Sequence, residues 1–363
     1  MKIGILTFHA AHNYGSMLLA FALQEAIKTE GHDVKIINHR IYAQNMMYAN
    51  PLKFTHKIFI KELFTHPMLF IQNAKKWRKF ESFSQRFHNL TKLCPTLVDV
   101  EKVIKEEHFD AVITGGDQIW NMQCSDFSLA YYLPFNLPGI KKISYSPSFG
   151  GGGYFKPENY SCTIRALLSS YDHVSVREES ASMLLSSLLD HYIPSVCDPT
   201  FLIDTSTYSA IAGTERLIKE KYIFYYSPFS TENTENLALE YGRKMGLPVY
   251  TSNGFASQCK GFNRRQDTGP AEFLNLIKNA ELVCGNSFHL VVFSIIFKKE
   301  FFVLSLKDAR METLLNYLCI NNRFCSSINK VDIYKSQIDW TSVDMKLLDY
   351  KAKGIQYINK SLR

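Results

Sequence analysis

The sequence predicts an α/β protein of two domains. Short apolar runs alternate with helical patterns twice along the chain, and 363 residues exceed what one domain of about 150 residues needs. The composition, 46% hydrophobic, 21% charged and 13% aromatic, is that of a folded globular chain and excludes intrinsic disorder.

The first unit opens with Ile3–Phe8, an apolar run that reads as a buried strand rather than a secretion signal. The periodic stretch Ser16–Glu30 follows as a helix, Gly31 stands where a helix C-cap belongs, and Val34–Asn38 returns as a second, parallel strand. Asp110–Thr114, Lys142–Ser146 and His173–Val176 read as further strands of the same sheet. A turn-rich passage at Val196–Thr200 sets the domain boundary near residue 200. The second alternation runs through strand Tyr222–Tyr226, helix Thr234–Met245 and strand Pro248–Thr251. Pro270 starts a helix with Glu272 in its first turn, as helix N-termini prefer. Glu281–Cys284, a turn at Gly285–Ser287, the apolar helix His289–Phe297 and strand Phe301–Ser305 complete the unit. Ser342–Lys360 reads as a last helix crossing back to the first domain. The expected domains are therefore 1–200, 201–340 and the helical tail 341–363, with an insertion at 53–86.

That insertion carries the charge. The chain has 41 Lys and Arg against 34 Asp and Glu, a formal +7. Residues 53–86 hold eight of the cations and two acids, Glu62 and Glu81, a local balance of +6. Phe54, Ile58, Phe59, Leu63, Phe64, Met68 and Phe70 interleave with these cations at helical spacing. Two readings stand: a surface helix pair with solvated lysines, or a patch for an anionic membrane or anionic acceptor. The eight cysteines show no CxxC pair and no zinc-finger spacing, so they suggest neither a structural zinc site nor a redox motif; no metal and no resident cofactor are expected. Nothing resembles a nucleic-acid-binding motif. No apolar run approaches the roughly 20 residues of a membrane span, so the expected location is cytoplasmic, peripheral at the inner face of the membrane through 53–86.

Five segments carry candidate chemistry. After the first strand, His9–Ser16 leads straight into a helix, where open α/β sheets bind ligands and helix N-termini favour anions; Asn13, Gly15 and Ser16 suit such a loop, or a plain turn. Gly115-Gly116-Asp117-Gln118-Ile119-Trp120-Asn121 joins glycines that admit a ligand to a carboxylate, an amide and an indole, a grouping suited to carbohydrate; a capped turn over a core Trp is the plainer alternative. Gly150–Gly153 lacks the phosphate-loop pattern and reads as a flexible loop. Arg177 ends the segment Ser175-Val176-Arg177, where its planar fork can hold a carboxylate or phosphate, or pair with Glu178 or Glu179. In the second unit, Asn286-Ser287-Phe288-His289 puts a histidine at a helix start, placed to exchange protons near neutral pH.

In this order the segments resemble the polysaccharide pyruvyl transferase family. The matching pieces are Thr7–Ser16 with Ala22-Leu23-Gln24, Gly115–Asn121, Ile143–Gly150, Ser175–Glu178, Asp198-Pro199-Thr200, Asn279-Ala280 and Asn286–His289, spanning roughly residues 1 to 310. The resemblance implies two Rossmann-like domains facing across a cleft, a GT-B-like arrangement, and transfer of pyruvate from phosphoenolpyruvate to two hydroxyls of a sugar. It implies His289, Asp117 and Arg177 as catalytic residues. Arg177, Asn286, Ser287, His289, Lys307 and Arg310 are implied for the donor, and Asn13, Tyr14, Gly15, Gly116, Asp117, Gln118 and Trp120 for a sugar or lipid-linked oligosaccharide acceptor. Leu290, Gly116, Ser146 and Pro147 depart from the family pattern, which bears on acceptor preference. Two rivals share the architecture: a glycosyltransferase using a nucleotide sugar, and a non-catalytic glycan-binding relative.

Overall fold

A computed structural model describes residues 1–53, 57–151, 155–253, 260–304, 308–325 and 337–363. The strands of the described residues form two five-stranded sheets. One contains β1 (Lys2–Leu6), β2 (Asp33–His39), β3 (Leu90–Cys94), β4 (Ala111–Gly115) and β5 (Lys141–Tyr145), in the order β3-β2-β1-β4-β5. The other contains β6 (Ile223–Tyr226), β7 (Val249–Thr251), β8 (Asn263–Arg264), β9 (Leu282–Gly285) and β10 (Phe301–Val303), in the order β10-β9-β6-β7-β8. All pairings within them are parallel, so each sheet is covered by helices and its central strands are buried on both faces. This is the two-domain α/β architecture that the alternation predicts.

The helix Tyr14–Thr29 is buried on nearly every side because it serves both halves: it lies against β2 and also against helices Pro270–Asn279 and Phe288–Ile296. One hydrophobic core therefore runs from Ile3, Leu18 and Ile113 through Phe273 and Leu290 to Val303. Tyr14 stacks flat on Phe273 at 4.3 Å and donates its hydroxyl to Thr268 O at 3.2 Å, fastening the seam. The C-terminal helix Trp340–Leu362 crosses back as expected. Its Tyr350 stacks on Tyr317 at 4.1 Å, and farther along Tyr357 Oη donates to Ser144 O in β5 at 3.0 Å.

The segment His173–Val176 does not become a strand; it makes only isolated bridges to Ile143 and Ser195. Side chains have taken the ladder's place: Ser144 Oγ donates to Ser175 O and accepts from Ser175 N, while Ser175 Oγ donates to Ser144 O. The insertion folds as helices Lys57–Thr65 and Pro67–Phe87. The second buries Phe70, Ala74, Phe80 and Phe83, and its Lys79 reaches Asp267 at 3.3 Å and Glu272 at 3.0 Å in the other half.

Candidate active site

The turns after β1, β4 and β9 face the seam between the sheets. After β1, Asn13 caps the helix Tyr14–Thr29, its side-chain oxygen accepting from the N–H groups of Gly15 at 2.9 Å and Ser16 at 3.3 Å. Ser16 Oγ donates to Asp117 Oδ2. Asp117, just after β4, holds a left-handed backbone with φ of 52°, and its Oδ1 accepts from Gln118 N at 2.9 Å. Burial pushes the Asp117 carboxyl up, but His289, Arg177, the Ser16 hydrogen bond and Arg310 outweigh it and hold the group below the usual carboxylate range. Nearby, Glu178 Oε1 accepts from Ser148 Oγ at 2.9 Å and Phe149 N at 2.8 Å. Burial raises this carboxyl, and Arg177 and the hydrogen bonds offset it only in part.

Arg177 is 2% exposed. Its Nη2 lies 2.9 Å from Asp198 Oδ2, and its guanidinium sits 5.0 Å from the centre of the Phe288 ring. Arg310 sits 5.5 Å from the same ring and is held by Asp308 through Nε at 3.1 Å and Nη2 at 2.8 Å. Asp198 Oδ1 is occupied by Thr200, accepting from its backbone N at 2.9 Å and its hydroxyl at 2.5 Å. That leaves Oδ2 for Arg177 and for His289, whose Nε2 is 3.6 Å away. Burial would raise Asp198; Arg177 and His289 together keep it far below the usual range. His289 lies in the first turn of helix Phe288–Ile296, and its ring rests on Gly15 so closely that a Cβ there would lie 2.0 Å from Nδ1. The histidine of one half is thus seated on the helix N-terminus of the other.

Several buried polar atoms in this cluster have no hydrogen-bond partner among the described residues: Arg177 Nε and Nη1, Glu178 Oε2 and Asn286 Oδ1. Each such atom costs about 1–3 kcal/mol unless a ligand or solvent meets it, so their concentration at one place marks a binding site. Two arginines around one ring, with free guanidinium N–H groups, fit a small dianion. Among the described residues no three His, Cys, Asp or Glu side chains converge on a metal position.

The structure brings together Asp117, Arg177, His289, Arg310, Gly15 and Ser16, and gives Glu178, Asp198, Phe288 and Asp308 places beside them that the sequence does not assign. Other positions take corrections. Trp120 is fully buried, donates its indole N–H to Tyr131 O at 3.1 Å and stacks on Tyr132, so it offers no face to a sugar. Tyr14 is spent on the seam. Asn13 and Ser287 are helix caps, the latter accepting from Leu290 N at 3.4 Å. By contrast, Asn286 Nδ2 donates to Phe229 O at 2.8 Å while its buried Oδ1 is left unpaired. Gly116, at φ of 67°, packs where a Cβ would strike Leu19. Gln118 is half-buried against the Gly150 loop. Lys307, Gly152 and Gly153 lie outside the described residues.

No curated protein matches the chain. Among solved structures, UDP-GlcNAc 2-epimerase from Methanocaldococcus jannaschii aligns over 96% of this chain and 100% of its own, with TM-score 0.55 and 16% identity. The Neisseria meningitidis enzyme, bound to UDP-GlcNAc, covers 100% and 99% with TM-score 0.53 and 11% identity. A putative UDP-N-acetylglucosamine 2-epimerase from Listeria monocytogenes covers 97% and 90% with TM-score 0.54 and 12% identity. At such identities the likeness shows the fold alone, a GT-B-like pair of Rossmann-type domains. The family model for polysaccharide pyruvyl transferase matches residues 13–308, which include every site residue named above except Arg310. The chain belongs to the polysaccharide pyruvyl transferase family.

Proposed function

We propose that this protein transfers pyruvate from phosphoenolpyruvate to two hydroxyls of one sugar, forming a cyclic ketal. Family membership supplies the sugar or polysaccharide acceptor. The observation that carries the donor is the buried Arg177, with Nε and Nη1 unpaired, beside His289 and Arg310. The two guanidinium groups receive the carboxylate and the phosphate. His289, backed by Asp198, protonates carbon 3 of the enol, making a methyl group and leaving carbon 2 open to attack. A first sugar hydroxyl adds to carbon 2, and a second displaces phosphate to close the ring. Of the two hydroxyl protons released, one restores the acid and the other leaves with phosphate. The Ser16–Asp117 pair is the base for the attacking hydroxyl.

The test is incubation with phosphoenolpyruvate and glycan fractions. The expected result is phosphate release and a product heavier by pyruvate less one water, with His289→Ala and Arg177→Lys lowering turnover by roughly 10²-fold or more. Turnover with a nucleotide sugar and none with phosphoenolpyruvate would overturn the reading in favour of a glycosyltransferase. Glycan binding without turnover on any donor would favour a non-catalytic relative.

The same reading places the acceptor at an anionic membrane surface. Among the described residues no helix is long and apolar enough to cross a bilayer, so contact would be peripheral. Helices Lys57–Thr65 and Pro67–Phe87 leave Ile60, Phe64, Met68 and Ile71 exposed, Phe64 by 80%, within the stretch that holds the chain's excess of positive charge.

A further inference from the structure

A cavity of about 310 Å³ opens beside the active site, between the loop that precedes Asn13 and the inserted segment. Its walls include His12, Arg40, Gln44, Tyr48, Trp77 and Glu81. Two of the charged groups balance each other, with Lys53 a further cation on the wall: Arg40 Nη1 lies 3.2 and 3.1 Å from the two oxygens of Glu81, and His12 Nε2 lies 3.0 Å from Glu81 Oε1. Burial lowers His12 below its usual range, with Glu81 opposing, so near neutral pH it adds no charge. The imidazole is fixed between Tyr48 at 5.1 Å and Phe80 at 4.9 Å. Gln44 is 2% exposed; its amide N–H faces the Asp126 carboxyl, and its Oε1 has no hydrogen-bond partner among the described residues.

These walls fit an uncharged polyhydroxyl ring. A carboxylate and a guanidinium locked together offer acceptors and donors at fixed spacing, Gln44 offers an unused carbonyl oxygen, and Tyr48 and Trp77 supply apolar surface. A strong anion would meet Glu81, and an apolar ligand would leave Gln44 unsatisfied. The volume stands at the small end of ligand pockets, room for one ring rather than a chain. Its position fixes which ring. His12 immediately precedes Asn13, the cap of the helix that carries Ser16, and the Tyr48 hydroxyl lies within electrostatic reach of Asp117 and Asp126.

We infer that this pocket binds the sugar next to the one that receives pyruvate, so that the acceptor is recognised as a disaccharide unit. The inference rests on the acceptor lying at Ser16–Asp117. Two readouts separate the claims. Binding of mono- and disaccharide pairs (galactose and lactose, glucose and maltose, N-acetylglucosamine and chitobiose) is followed by ligand-observed NMR, which needs no donor. At least one disaccharide should bind tenfold or more tightly than its monosaccharide, and Gln44→Leu and Ala49→Trp, the latter also on the pocket wall, should remove that advantage while leaving monosaccharide binding and the thermal midpoint unchanged. Ala49→Trp blocks the pocket by volume and removes no hydrogen bond, which guards against misfolding as the cause. Equal binding of both members of every pair, or variants that bind as the parent does, would overturn the inference. Absence of phosphate release from phosphoenolpyruvate would sink the proposed reaction while the binding result still stands for the pocket.

Discussion

At Gly15 a single methyl group would take the space of the imidazole that the proposed reaction uses as its acid. A Cβ there would meet His289 Nδ1 at 2.0 Å, so the ring must turn away from Asp198. Gly15→Ala should therefore cut turnover by about 10²-fold, the cost of misplacing a catalytic group by roughly 1 Å. The same clash at a buried seam should cost about 1–3 kcal/mol of stability, more than alanine's better helix propensity returns. Turnover within twofold of the parent would show that His289 is not needed where it lies. His289, Arg177 and Asp117 are legible in the sequence because each stands where an apolar run gives way to a polar turn. The roles of Asp198 and Glu178 are not: both stand in segments the sequence marks, but their partners Arg177 and Ser148 come from other segments of the chain. Trp120 misleads for a related reason. Residue type shows that an indole is present, but only packing shows that Tyr131 has already taken its N–H.

Among the elements, the parallel strands and their helices were readable because burial on both faces leaves unbroken apolar runs. Two strands were not. β3 is an edge strand with Lys92 and Leu93 exposed, and β8 has two residues; neither carries a periodic signal. Where Ser144 and Ser175 trade side-chain bonds for ladder bonds, an apolar run promised a strand that the hydroxyls replace. The inserted helix pair showed its amphipathic face but not what the face meets. Vesicle sedimentation decides it: binding should rise with phosphatidylglycerol content in phosphatidylcholine vesicles, fall with added salt, and weaken in Phe64→Ser. Equal sedimentation with neutral and anionic vesicles would remove the membrane contact.

For the molecule as a whole, two buried histidines tie stability to pH. His9 is pushed down to about 3 by burial, then by Arg40 and His88, and His88 to about 4 by burial and Arg40, against its bond to Met17 O. In the unfolded chain both take up a proton near 6.5, whereas the folded chain resists until about 3 to 4, so their contribution is complete above 6.5 and is lost as pH falls towards 4. His9 alone accounts for about 3 kcal/mol by pH 4. Urea midpoints at pH 7 and pH 4 should differ clearly in the parent and less in His9→Gln; an identical pH slope in the two would assign the loss elsewhere. The apolar core that continues from one sheet to the other has its own consequence. Parting the halves would expose Tyr14, Phe273 and Leu290 to water at about 25 cal/mol per Å², so the chain is not built as a hinged pair of jaws. The alignment of Gly15 with His289 is settled once, when the protein folds, and each arriving substrate meets a mould already set.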